Sequence, residues 1–138
     1  MRQKTRKAKT VKKPPIRINL AGEGELPDVK INQNLKHILE PDWISSRYGK
    51  SITKIQEEGH QFVISDNLHL PFRSNAVDEV YVASISLDSV TFLGPTPRTS
   101  EILRILKTGG FFILNPLDPG AGRKVYRKVQ GTLRRMQS

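Results

Sequence analysis

Residues 66–80, Asp-Asn-Leu-His-Leu-Pro-Phe-Arg-Ser-Asn-Ala-Val-Asp-Glu-Val, and residues 101–110, Glu-Ile-Leu-Arg-Ile-Leu-Lys-Thr-Gly-Gly, decide the fold. The first stretch reads as a strand end carrying an acid, Asp66, then a tight Leu70-Pro71-Phe72 loop, then a new strand from Val77 that carries Asp78 near its start. The second reads as a helix. Thr99 or Ser100 can cap it, Glu101 suits its positive end and Lys107 its negative end. The double glycine Gly109-Gly110 is expected to stop that helix and to feed a strand over Phe111 to Leu114.

Working outward, short apolar strands are expected at 16–20, 29–32, 62–65 and 77–84. A glycine-bearing loop covers 21–27, and a short helix over 34–39 ends before Pro41. The segment 43–58 carries Ile44, Ile52 and Ile55 on a broken helical face that Gly59 would cap. Short apolar strands separated by helices predict an α/β, Rossmann-like, mostly parallel sheet of about five strands. Residues 21–27 leave no room for a helix between the first two strands. A regular parallel crossover needs a dozen or more residues.

Composition limits the functional classes. The chain of 138 residues supports one core. It lacks an apolar run of membrane-spanning length, and its first residues lack the apolar stretch of a secretory signal, so a cytoplasmic setting is expected. The absence of cysteine excludes disulfides, thiol chemistry and Cys-ligated metal. His37, His60 and His69 show no metal-ligand spacing, so no metal is expected.

The net charge of +10 is unevenly spread. Residues 1–13 hold seven Lys/Arg and residues 119–138 hold six, with no acid in either block. The body between them is mildly acidic. Residues 1–15 read as a basic disordered tail or linker, residues 16–117 as the α/β domain and residues 118–138 as a basic amphipathic helix. Val125, Val129, Leu133 and Met136 recur there at helical spacing, and Gly131 weakens that pattern. The basic ends admit two readings, phosphate contact with nucleic acid or a solubilising and connecting role. No aromatic residue in the N-terminal tail offers base stacking.

The 66–80 and 101–110 segments, in that order, resemble the small class I methyltransferases that use S-adenosylmethionine. The matches are Asp66, Leu70-Pro71-Phe72, Asp78, Glu101, Arg104, Leu106-Lys107 and Gly109-Gly110; Thr108 stands where the family usually has proline. The resemblance covers about residues 16–115, a truncated class I methyltransferase core. It implies a cofactor loop at Ala21-Gly22-Glu23-Gly24, where glycines let backbone approach a ligand. It implies a ribose position at the second strand end, filled here by Asn32 and Asn34 rather than by a carboxylate. It also implies an adenine site at Asp66-Asn67-Leu68. Methyl transfer relies mainly on proximity and desolvation, and no catalytic residue is assigned. Asp88 reads as a loop cap or an acceptor-orienting base, and Asp78 as a structural anchor. The Gly22-Glu23-Gly24-Glu25 loop on a short core is also similar to C-terminal effector domains of RHS-type polymorphic toxins, which would imply a delivered protein.

Two functions follow. One is an S-adenosylmethionine-dependent methyltransferase of unassigned acceptor, with nucleic acid a candidate. The other is a non-catalytic methyltransferase-like module that binds nucleic acid or a protein through its basic ends.

Overall fold

The computed structural model describes residues 13–36, 38–40, 49–83, 85–118 and 122–136. Its centre is a seven-stranded sheet. Strands β1 (Arg17–Leu20), β2 (Ile31–Asn34), β3 (Gln61–Ile64), β4 (Val77–Val82) and β7 (Leu106–Leu114) are parallel. Strands β8 (Lys124–Val129) and β9 (Thr132–Arg135) add an antiparallel pair to the free edge of β7. The order is β3-β2-β1-β4-β7-β8-β9. A separate two-stranded hairpin joins β5 (Val90–Thr91) to β6 (Gly94–Pro95). This is a Rossmann-like, mostly parallel sheet. The chain runs outward from β1 to β3, then returns to the other side of β1 at β4. The topological switch point therefore lies between β1 and β4.

Two short helices complete the α/β arrangement. Helix α1 (Ile52–Glu57) starts at Ser51, whose hydroxyl accepts from the Lys54 N–H. It stops before Gly59, whose φ of +99° suits a residue without Cβ. Helix α2 (Thr99–Ile105) buries Ile102 and Ile105 against Ile18, Leu20, Val80, Val82 and Phe112. Each fully buried isoleucine contributes about 1.5–3 kcal/mol. Helix α1 forms a smaller cluster with Ile38 and Leu39, against Phe62. Among the described residues no helix is long and apolar enough to cross a membrane.

Three expectations are corrected. The helix expected within 118–138 is replaced over its described residues by the β8–β9 hairpin. The turn is Gln130-Gly131, with φ of +50° and +77°. Positive φ at both central residues is the requirement of a hairpin turn that matches strand twist. Val125, Tyr126, Val129 and Thr132 are β-formers, and β7 offers them a free edge; the helical spacing of the apolar residues is outweighed. Secondly, α2 ends at Ile105, before the double glycine. Gly109 and Gly110 instead lie in a bulge of β7, where the pairing with β4 shifts between Val77↔Leu106 and Glu79↔Phe111. A Cβ on Gly110 would lie 2.9 Å from the backbone carbonyls of Asp78 and Lys107, so the strand passes there only as glycine. Thirdly, Asn34 ends β2 and the described residues of 35–39 form turns rather than a helix; His37, and residues 43–48 of the 43–58 segment, lie outside the described residues. The connection from β1 to β2 is a bare loop without a helix.

Candidate functional site

The carboxyl ends of the parallel strands converge on a cleft of about 210 Å³. Ala21 and Glu23 reach it from the β1 end, Asn34 from the β2 end, Asn67 from the β3 end and Ile85 from the β4 end. The β5–β6 hairpin closes the far side with residues 91–96. A larger hollow of about 380 Å³ lies beside Ile16, Asp78 and Lys107, at the opposite end of the strands. Only the first sits where an open α/β sheet binds ligands.

Beneath the cleft floor is a buried polar network. Asn19, Asn32 and Gln33 are fully enclosed in the sheet. The Asn19 amide donates to Glu25 Oε1 at 2.6 Å and to Asn32 Oδ1 at 3.1 Å. Asn32 Oδ1 also accepts from the Gly24 N–H. Its amide donates to the Lys30 and Gln61 carbonyls and to His60 Nδ1 at 3.1 Å. An amide donor facing Nδ1 requires the neutral imidazole with its proton on Nε2. Burial, followed by the nearby Lys30 charge, holds His60 below its ordinary pKa and favours that neutral form. Asn19 Oδ1 is the buried side-chain atom left without a hydrogen bond among the described residues.

A second set of bonds ties three strand ends together. Gln33 Oε1 accepts from the Ala21 N–H, and its amide donates to the Ser65 carbonyl, Ser65 Oγ and Asn67 Oδ1. The Asn67 amide then donates to the Pro95 carbonyl at 2.9 Å and fixes the hairpin. Asn34 donates to the Gly22 carbonyl. Unpaired, these amides would each cost about 1–3 kcal/mol in the interior; paired, they set how β1, β2 and β3 meet.

The residues expected to hold a cofactor therefore divide. Ala21, Glu23, Asn34 and Asn67 line the cleft. Asn32 lies below the lining, as do Gly22 and Gly24. A Cβ on Gly22 would stand 2.5 Å from the Asn19 amide nitrogen and 2.6 Å from Asn32 Oδ1, so this glycine makes room for the network. Gly24, at φ +81°, gives way to Ile55 of α1. Both glycines thus make room for packing on the side where a Cβ would stand. Asp66 and Leu68 stand outside the lining. Asp66 is exposed, and its Oδ1 accepts from the His69 and Leu68 N–H groups at 2.8 Å. Those two bonds hold its carboxyl below the usual carboxylate range and make it the cap of its own turn.

The two signature segments meet physically. Glu101 Oε1 accepts from the Leu70 N–H at 2.8 Å. Arg104 forms a forked pair with Glu101 at 2.8 and 2.9 Å and donates to the Leu70 and Phe72 carbonyls, both at 2.9 Å. Helix α2 thereby clamps the Leu70-Pro71-Phe72 loop. Asp88 caps α2 by accepting from the Thr99 N–H and hydroxyl. Asp78 accepts from the Ile16 N–H at 2.7 Å and anchors the start of β1. Glu25 and His60 were the network members that sequence reading missed as partners. The available signal was Ile31-Asn32-Gln33-Asn34, three amides in a strand that must be covered on both faces.

Among the described residues no group of three or more His, Cys, Asp or Glu gathers as a metal site. No family model matches the chain, and no curated protein matches it. Among solved structures, it is similar to an S-adenosylmethionine-dependent methyltransferase from Thermotoga maritima, described as a possible histamine N-methyltransferase. The identity is 17% and the TM-score 0.46, over 78% of this chain and 46% of that one. The chain thus spans less than half of that protein. So distant a likeness carries no functional weight; the fold stands on strand order and direction.

Proposed function

We propose that the switch-point cleft binds S-adenosylmethionine and that the chain is a methyltransferase module. The observation that carries this reading is the position of Glu23. The resemblance asks for a carboxylate at the β2 end, to accept from ribose hydroxyls, and β2 has only amides. Glu23, from the preceding loop, lines the same cleft as Asn34. A carboxylate offers about four lone-pair sites, so the loop supplies the acid that the strand lacks. Leu35, Ile38, Ile85 and Pro95 add apolar wall for a base. This donor set suits an adenosyl group. The cofactor would supply an electrophilic methyl group. The chain would position it, exclude water and hold an acceptor in line. A cleft of about 210 Å³ is below the roughly 300–1,000 Å³ of a drug-sized ligand site. Binding on this reading moves the β5–β6 hairpin outward.

Calorimetric titration with S-adenosylmethionine and S-adenosylhomocysteine tests it. A micromolar dissociation constant, about −8 kcal/mol, is expected, weakened about 10- to 100-fold by Glu23→Gln, the loss of a charge-assisted bond. No heat at millimolar ligand sinks the proposal.

A second reading has its own support. The Ala21, Gly22, Glu23 and Gly24 N–H groups are all bonded within the protein, which suits a non-catalytic module that retains the fold and binds a macromolecule. Under that reading the titration is silent and partner binding survives Glu23→Gln.

A further inference from the structure

One row of side chains crosses five strands on a single face of the sheet. Cross-strand partners place Arg17 beside Glu79, Glu79 beside Phe111, Phe111 beside Arg127, and Arg127 beside Arg134. At about 4.8 Å between strands the row is about 19 Å long. Helix α2 packs on the other face, with Ile18, Val80 and Phe112. Among the described residues, helix α1 packs on this face beside Phe62 and Gly24, at the far end from the row. Phe111, Tyr81 and Val125 belong to neither core cluster. They keep partial exposure, while Arg127 and Arg134 are exposed.

The charges of the row are unbalanced. Glu79 is engaged by Arg17 Nε at 3.0 Å and by the Tyr81 hydroxyl. Among the described residues, Arg127 and Arg134 form no ion pair. They face each other directly across β8 and β9, a destabilising arrangement for like charges. Arg127 lies over the Phe111 ring, 5.8 Å from its centroid, and exposed Arg123 lies near Tyr81. The basic residues of 1–13 cannot offset this charge, because they repeat it. The complement is an anion, and the aromatic ring between the guanidinium groups selects one with flat faces.

We propose that this row is a docking platform for single-stranded nucleic acid. Arg127, Arg134 and Arg17 contact phosphates, and Phe111 stacks an unpaired base. Unpaired bases offer their faces to an aromatic ring, whereas a duplex hides them. None of these residues lines the switch-point cleft, so the inference stands apart from the cofactor reading.

The test is fluorescence anisotropy of the full chain with a labelled dT12 oligonucleotide, across a salt series. The double variant Arg127→Ser/Arg134→Ser should bind more weakly, and the slope of log affinity against log salt should flatten by about 0.7 per arginine, roughly 1.4 in all. Phe111→Leu should weaken oligonucleotide binding about tenfold and leave heparin, an anion without bases, unchanged. Cofactor titration of the double variant checks the cleft separately. Hydrogen exchange on the wild-type chain with dT12 should slow in β7 to β9, which needs no variant to fold. Wild-type affinity in the double variant overturns the proposal, as does slowed exchange confined to other strands. So does binding lost only when the Lys and Arg of 1–13 become Ser in the full chain. Equal binding of poly-glutamate, equally lost in Phe111→Leu, points to an acidic protein and also overturns it.

Discussion

Arg104→Ala removes the clamp between α2 and the Leu70-Pro71-Phe72 loop. The guanidinium donates to two loop carbonyls and forms a two-point pair with Glu101. Its side chain is 34% exposed and that of Glu101 17%, so water screens part of the pair and can reach the freed carbonyls. Two carbonyl bonds contribute about 0.5–1.5 kcal/mol each, and the partly screened pair about 0.5–1 kcal/mol. The loss is about 1.5–4 kcal/mol, or roughly 5–16 °C in midpoint for a chain of this size. Arg104→Lys recovers only a fraction, because one ammonium cannot reproduce the fork. Thermal melting by circular dichroism measures both.

Acid adds a second readout for the same clamp. Arg104, then the Leu70 N–H, holds the Glu101 carboxyl below its ordinary value. A depressed carboxylate contributes stability above its unfolded pKa, about 4.3. That contribution is lost as pH falls from there through the folded value. The acid-side loss should shrink in Arg104→Ala. A variant within about 0.5 kcal/mol of wild type, with an unchanged acid limb, would refute the clamp.

Gly22→Ala should destabilise by about 3 kcal/mol or more, because its Cβ would press on Asn19 and Asn32, both buried; urea denaturation measures it, and a near-neutral result contradicts the packed network. His60 gives a separate pH signature. Its folded pKa lies below the ordinary value, so the unfolded chain takes up the proton first as pH falls. Stability should be level above pH about 6.5 and decline below it, a limb that His60→Gln flattens. Gly131→Ala should cost about 1–2 kcal/mol from its left-handed backbone, and Gly131→Asn less; if the two melt alike, the turn assignment is wrong.

The parallel part of the fold was legible because its strands carry their own signal. Val77-Asp78-Glu79-Val80-Tyr81-Val82 is β-forming and sits between turn residues. Thr99 to Ile105 has apolar positions at helical spacing. The C-terminal segment misled because Val125, Val129, Leu133 and Met136 fit a helical stripe, whereas the hairpin depends on an edge of β7 that is remote in sequence. Gly131, which weakens a helical pattern in the sequence, is half of the turn. The Gly109-Gly110 pair has the sequence signature of a cap and forms a bulge, since the approach of the Asp78 and Lys107 carbonyls exists only in the folded sheet.

The cleft shows the same division. Asp66, Asn67 and Leu68 are adjacent in sequence, yet Asn67 turns inward to Gln33 and Pro95 while Asp66 caps an exposed turn. Residue order alone settled the class of fold, the acid-bearing loop and the uneven charge, because periodicity, turn chemistry and composition are local properties. Tertiary structure decided which polar groups face one another: that the amides of β1 and β2 close on Glu25 and His60, that Glu23 reaches the cleft, and that three arginines and a phenylalanine from four strands share one row. Those outcomes depend on strand register, which hydrogen bonding and packing between distant segments select together.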